Sequence, residues 1–293
     1  MRTLRLGTAL VEHIPEHQLP VPLALLTDDD DLLARRVASL PPGFFEPISR
    51  SFQFSNHSWV LCVDGVTVLV DPCTGNGRKG LGPYFDDLDT PYLQSLEEVG
   101  TPASSIDLVF CTHLHHDHCG WNTTFKDGRW APTFPNATYL FGEEEYRRWD
   151  STSPVRHPNE LNPSVFDTCV RPIFEAGQAR VIQVPYQMSE SLVIEEARGH
   201  TVGHCMLRLS SDGVTAYFTG DAFHHPIQMT RPEAHLPGCD NLTTAIKTRK
   251  ELVRRVLAES AFVFPAHFPA PHYGSLAVDG GEVCFSPGGA PPG

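Results

Sequence analysis

Ile106-Asp107-Leu108-Val109-Phe110 runs directly into Cys111-Thr112-His113-Leu114-His115-His116-Asp117-His118, an apolar run that ends in a dense cluster of ligand-type side chains. A short apolar run of this kind has the character of a buried strand, so the histidines sit where a strand exits into a loop. Any one isolated histidine reads as part of a solvated polar loop. Several ligand-type residues packed this densely do not. In an extended segment, residues two apart project to the same side, so His113 and His115 can reach one ion while a turn swings Asp117 and His118 toward another. Nitrogen and carboxylate ligands suit zinc, with iron, cobalt and manganese as alternatives.

Upstream, the runs Ser58 to Val63 and Val66 to Val70 flank Asp64-Gly65, which predicts two strands joined by a hairpin turn. Thr90-Pro91 with Leu93, Leu96 and Gly100 predicts a short helix capped by Thr90 and ended by the glycine. Further strands are expected at Val181 to Val184, Leu192 to Glu195, Cys205 to Leu209, Val214 to Thr219 and Phe262 to Phe264. Helices are expected at Glu143 to Trp149, Ser164 to Glu175 and Thr243 to Ala258, the last with Ile246, Leu252, Val253, Val256 and Leu257 on one side. The acidic run from Asp28 suits the start of a surface helix through Arg36. Strands in two groups with helices between them indicate sheets covered by helices, without a regular βαβ repeat.

Three later segments end strands or extended runs on ligand-type residues: Gly199-His200-Thr201-Val202-Gly203-His204, Phe218-Thr219-Gly220-Asp221 and Phe264-Pro265-Ala266-His267. That recurrence fits ligands gathered on loops at one edge of a scaffold.

Composition narrows the function classes. A formal net charge of −13 opposes non-specific attraction to nucleic acid or an anionic membrane, so a small-molecule substrate is expected, with neither nucleic acid nor membrane as partner. A homodimer is left open. Met1 to Gly7 lacks the apolar core of a signal peptide and no run approaches a membrane span, which points to the cytoplasm. The 8 cysteines, with no Cys-x-x-Cys pair, read as free thiols. The 293 residues are expected to form a single domain, with an N-terminal extension over about residues 1–50 and a disordered Gly/Pro tail over residues 286–293.

With these segments in view, the chain resembles the metallo-β-lactamase superfamily over roughly Ser51 to Gly274, through its H-x-H-x-D-H motif and the later His, Asp and His in matching order. The resemblance implies an α/β fold, an αββα sandwich of two mixed β-sheets flanked by helices, with two metals at one edge. By position, it assigns His113, His115 and His200 to the first metal and Asp117, His118 and His267 to the second, with Asp221 bridging both. His116 and His204 fall at non-ligand positions, His204 being either a donor that orients a ligand or plain packing. Asp71 matches a recurrent position whose expected job is to accept backbone hydrogen bonds. Cys111 and Cys119 read as small buried residues.

Two divalent ions can share a water, lower its pKa and present hydroxide as the nucleophile. Asp117 is then both a ligand and a proton carrier. Asp221-Ala222-Phe223-His224-His225-Pro226-Ile227-Gln228 resembles the segment in quorum-quenching lactonases and methyl-parathion-hydrolase-like enzymes, which implies that His224 faces the substrate and stabilises an oxyanion. The alternative for His224 is a surface residue beside a proline turn. Trp121, Phe223 and Phe268 either line an apolar pocket or pack the core. The expected activity is metal-dependent hydrolysis of small esters or lactones. Organophosphate triesterases, glyoxalase II-like thioesterases and iron persulfide dioxygenases are the nearest rivals, and a non-catalytic metal-stabilised binding protein is the remotest. Asp221 argues against true β-lactamases.

Overall fold

Asp64 and Gly65 both have positive φ, 52° and 75°, the backbone of a two-residue hairpin turn that matches strand twist. The computed structural model describes residues 3–27, 40–150, 152 and 164–289. Its first sheet begins with β1 (Leu4–Leu6), β2 (Ala9–Pro22), β3 (Ser51–Val63) and β4 (Val66–Val70), paired antiparallel in that order. It continues in parallel with β5 (Leu108–Phe110). A separate hairpin, β6 (Thr123–Lys126) and β7 (Arg129–Pro132), precedes the last two parallel strands of this sheet, β8 (Thr138–Gly142) and β9 (Ala179–Ile182).

The second sheet runs β10 (Tyr186–Gln187), β11 (Leu192–Glu196), β12 (Cys205–Ser211), β13 (Val214–Gly220), β14 (Phe262–Pro265), β15 (Gly274–Asp279) and β16 (Glu282–Pro287). Only β13 and β14 are parallel to each other within it. Both sheets are therefore mixed.

Side-chain alternation builds the layers. Trp59, Leu61, Val68 and Val70 point inward and meet Leu192, Ile194, Leu207, Leu209, Phe218 and Phe264 of the second sheet. Val60 and Leu69 point outward with Val109, Tyr139 and Phe141, under Tyr92 and Leu96 of α1 (Tyr92–Glu98). Three further helices follow in the chain, α2 (His116–Cys119), α3 (Glu143–Trp149) and α4 (Arg171–Glu175). Trp149 and Ile173 from α3 and α4 join that outer cluster. On the far side, after the short α5 (Ile227–Thr230), α6 (Leu242–Glu259) lays Leu252, Val253 and Val256 against Tyr217, Val263 and Phe268. Each such fully buried side chain contributes about 1.5–3 kcal/mol. The result is the expected αββα sandwich.

Several expectations need correction. Thr90 does not cap α1: its N–H and hydroxyl both bond Asn76 Oδ1, at 2.9 and 3.1 Å, and Pro91 occupies the cap position. The segment expected as one helix over Ser164 to Glu175 opens as a π-turn, Phe166–Val170, ahead of α4, where Pro172 lacks the N–H a continuous α-helix needs. Residues 4–22, read as an extension, supply two strands of the first sheet. Ser286 and Pro287, read as the start of a tail, pair with Ser275 and Gly274. The helix expected from Asp28 lies outside the described residues, as do residues 290–293. Among the described residues no helix is long and apolar enough to cross a membrane.

Candidate metal centre

The parallel strands β4 and β5, and β13 and β14, end at one edge of the sandwich, where ligand loops belong in an α/β sheet. Asp71 follows β4. His113 and His115 follow β5, with Asp117 and His118 on α2. His200 and His204 sit in the β11–β12 connection, Asp221 follows β13, and His267 follows β14. The loops approach closely at Gly220 (φ +48°), where a Cβ would lie 2.6 Å from Thr112 Oγ1 and 2.8 Å from His204 Nε2. Only glycine fits there.

These residues form two groups, each with its ligand-type atoms within 4.8 Å of one another: His113, His115, His200 and Asp221, and Asp117, His118 and His267. In the first, His115 Nδ1 lies 2.9 Å from both His113 Nε2 and His200 Nε2. One N–H cannot serve two such neighbours. Three nitrogens converging on one point is instead ligand geometry, since ions with bonds of about 2.0–2.1 Å hold their nitrogens about 3.3 Å apart, near the 2.9 Å found here. In the second group, His118 Nε2 is 3.1 Å from His267 Nε2, and Asp117 Oδ2 is 3.6–3.7 Å from both.

Asp221 stands between the groups. Its Oδ2 is 3.2 Å from His200 Nε2 and 3.7 Å from His113 Nε2, while its Oδ1 is 3.0 Å from His267 Nε2 and 3.2 Å from His118 Nε2.

A layer of buried polar groups sets these orientations. Asp71 accepts the N–H and hydroxyl of Thr112 at 2.7 and 2.8 Å, and its Oδ2 lies 3.0 Å from His118 Nδ1. Because the Thr112 hydroxyl donates to Asp71, it is free to accept from His113 Nδ1 at 3.1 Å, which leaves Nε2 unprotonated toward the centre. His267 Nδ1 donates likewise to the Ser55 carbonyl at 3.1 Å. His204 donates from Nδ1 to Ala197 O and accepts the Asp221 N–H at Nε2, both at 3.0 Å, so it positions the Asp221 backbone.

Glu145 was not anticipated. Its buried carboxylate accepts Leu114 N–H, Trp149 Nε1–H, the Thr201 hydroxyl and Gly203 N–H, tying the two histidine loops together. Glu16 similarly accepts Asn56, Trp121 and the N–H groups of Thr74 and Gly75.

The electrostatics favour a cation. Burial pushes His113 and His200 well below the ordinary imidazole value and His115 down to about 4, so all three are neutral, the form that ligates. Burial also acts on His118, but Asp221, Asp117 and Asp71 outweigh it and push that residue well up. Their pull is a demand for positive charge that a metal ion meets as a proton does. Asp221 Oδ1 is buried without a hydrogen-bond donor, a costly state that coordination removes. The residues present therefore fit a metal pair.

A cleft of about 160 Å³ opens over the centre, lined by Phe54, Phe85, His115, Asp117, His224, Leu236 and Pro237 among others. His224 is buried, with Nε2 3.1 Å from Asp221 Oδ2, which excludes the surface reading. Trp121, Phe223 and Phe268 do not line this cleft. Trp121 stacks on Tyr92, and the other two pack the core beneath α6. Phe54 takes the wall position, its ring 3.8 Å from that of His267 and 20° from parallel. His116 packs beside Phe85 and joins neither ligand group. His225 bonds the Phe44 carbonyl, Cys111 and Cys119 are buried, and all eight cysteines are free.

The sandwich with its histidine and aspartate edge defines a class: the family model of the metallo-beta-lactamase superfamily matches residues 52–267, and the chain belongs to that superfamily of metal-dependent hydrolases. Among solved structures, it is similar to the hydrolase AbOPH of the beta lactamase superfamily, at 20% identity and a TM-score of 0.78 over 99% of this chain and 98% of that one. The dizinc quorum-quenching lactonase AidC gives 19% and 0.74 over 99% and 98%. A quorum-quenching N-acyl homoserine lactone lactonase gives 17% and 0.60 over 93% and 100%. At such identities the likeness is one of fold. The curated proteins contain no match to the sequence.

Proposed function

We propose that this chain hydrolyses small esters or lactones with two divalent ions, zinc foremost, held by His113, His115 and His200 and by Asp117, His118 and His267, with Asp221 bridging. The observation that carries the proposal is the Asp221 carboxylate, one oxygen facing each group at 3.0–3.7 Å. When bound, such a pair supplies Lewis acidity toward a carbonyl oxygen and an acidified water.

The remaining roles belong to the protein. Asp117, at the cleft floor, accepts a proton as the ester is attacked and delivers it to the leaving oxygen. His224, whose Nε2 lies 3.1 Å from Asp221 Oδ2 and whose ring plane is 4° from that of His267, turns its single N–H from Asp221 to the developing oxyanion once the Asp221 oxygens are engaged by the ions. Phe54, Phe85 and Leu236 keep water from the far side of the cleft and accept the apolar part of a substrate. The lactonases among the structural neighbours support this reading.

The test is turnover against a panel of lactones, aryl esters, phosphotriesters, thioesters and β-lactams, paired with metal analysis. Lactone or oxygen-ester turnover with two metals at the centre is expected. Activity confined to a sulfur substrate, or a single iron, would overturn the proposal.

A further inference from the structure

Away from the centre, His13, His57 and His272 form a third group whose ring nitrogens lie within 4.8 Å of one another. His13 and His57 sit on neighbouring strands, β2 and β3, where His13 pairs with Trp59 and Pro15 with His57. They share the parity of Val11 and Trp59, so both face the inter-sheet core. His272 comes from the other sheet, in the connection between β14 and β15. The trio therefore spans the two halves of the sandwich.

Three observations set it apart from ordinary packing. His13 Nε2 is buried and makes no hydrogen bond, which is unusual for a buried polar atom. His272 is held at φ +75°, a conformation a non-glycine residue rarely adopts. It is fixed there by its N–H to the Pro269 carbonyl and by Nδ1 to the Phe268 carbonyl, both at 2.8 Å, and the second bond leaves Nε2 as the basic nitrogen. The ring spacings, 4.5, 4.8 and 3.8 Å, match those of His113, His115 and His200, 4.5, 4.8 and 4.8 Å, except for the stacked pair His13 and His272. All three imidazoles are neutral, burial being the main cause in each.

We propose that His13, His57 and His272 form a separate site for an imidazole-preferring divalent transition-metal ion, a staple between the two sheets. Three neutral nitrogens with no carboxylate in the set suit zinc or copper over calcium or magnesium. Because no carboxylate offsets the ion's charge, this site binds more weakly than the centre. Ligation brings the nitrogens to about 3.3 Å apart, which requires the stacked rings of His13 and His272 to turn edge-on. Filling the site raises thermal stability by mass action, because the unfolded chain has no preformed trio.

Zn²⁺ titration of the full chain tests this, with bound zinc counted by mass spectrometry beside His57→Gln and His272→Asn. The wild type is expected to hold one equivalent more than either variant at saturation and to gain melting temperature as that last equivalent binds. Crystals of the unmutated protein soaked in Zn²⁺ give a readout independent of variant folding. An anomalous peak among the three rings supports the site. Peaks at the His113 to His267 centre with none at the trio, or equal zinc content in wild type and folded variants, would overturn it.

Discussion

Asp221 is the residue through which the two halves of the centre meet, and its position depends on its neighbours. His204 accepts its N–H, so His204→Ala leaves that buried N–H unpaired, at a cost of about 1–3 kcal/mol. Metal affinity is expected to fall about 10- to 100-fold, read by competition with a chelating dye. Unchanged affinity would mean that His204 only fills space. His224 has the opposite signature. It belongs to neither ligand group, so His224→Ala is expected to keep its metals and lower kcat about 100-fold with little change in KM. If KM rises while kcat holds, the residue binds the ground state and no oxyanion contact is made. His224 and Asp221 were legible in the sequence because they share a short segment with a recognisable order. For His204 the sequence left a ligand-orienting role and plain packing both open, because which ring nitrogen meets which backbone group depends on a loop closing over Gly220.

At the level of elements, the ligand loops are held by carboxylates whose importance no local pattern reveals. Glu145 lies in the run Glu143-Glu144-Glu145, which reads as a solvated helix start, yet helical phase turns Glu145 inward to 2% exposure. Glu145→Gln replaces one of its two acceptor oxygens by an amide that faces donors. It is expected to cost about 1.5–3 kcal/mol in urea unfolding and to weaken metal binding by loosening Leu114 and Gly203. A variant as stable as wild type would show that the two loops do not depend on this carboxylate. The β3–β4 hairpin was readable from Asp64-Gly65, and the same dipeptide, again with positive φ at both residues, turns β6 into β7 at Asp127-Gly128 and β12 into β13 at Asp212-Gly213. By contrast, β2 was unreadable: Pro15, Pro20 and Pro22 argue against a strand, and the sheet accommodates Pro15 at a register shift between Pro15 and His17.

For the whole molecule, the strand and helix segments indicated only sheets covered by helices and the resemblance supplied the αββα arrangement, while β8, β15, β16 and the joining of residues 4–22 to the first sheet were not expected from any local signature. The buried histidines give the fold a pH dependence. Burial holds His13 at about 2 and His272 at about 4 in the folded chain, below the ordinary value of 6.5 expected once unfolded. Between those values the unfolded state binds more protons. Stability in metal-free protein is therefore complete above pH 6.5 and falls as pH drops toward 4, by up to about 1.4 kcal/mol per pH unit for each such histidine. Urea unfolding across this window is expected to show a slope shallower by about that amount in His272→Asn. An unchanged slope would mean that His272 is already protonated in the fold.

Metal-dependent ester chemistry at a centre that Asp221 joins is the core of the proposed function. The most direct measurement is lactone hydrolysis by metal-stripped protein as Zn²⁺ is returned, for wild type and Asp221→Asn. No turnover is expected without metal, with recovery in the wild type as zinc is added and little recovery in the variant. Turnover indifferent to metal, or undiminished in Asp221→Asn, would contradict it.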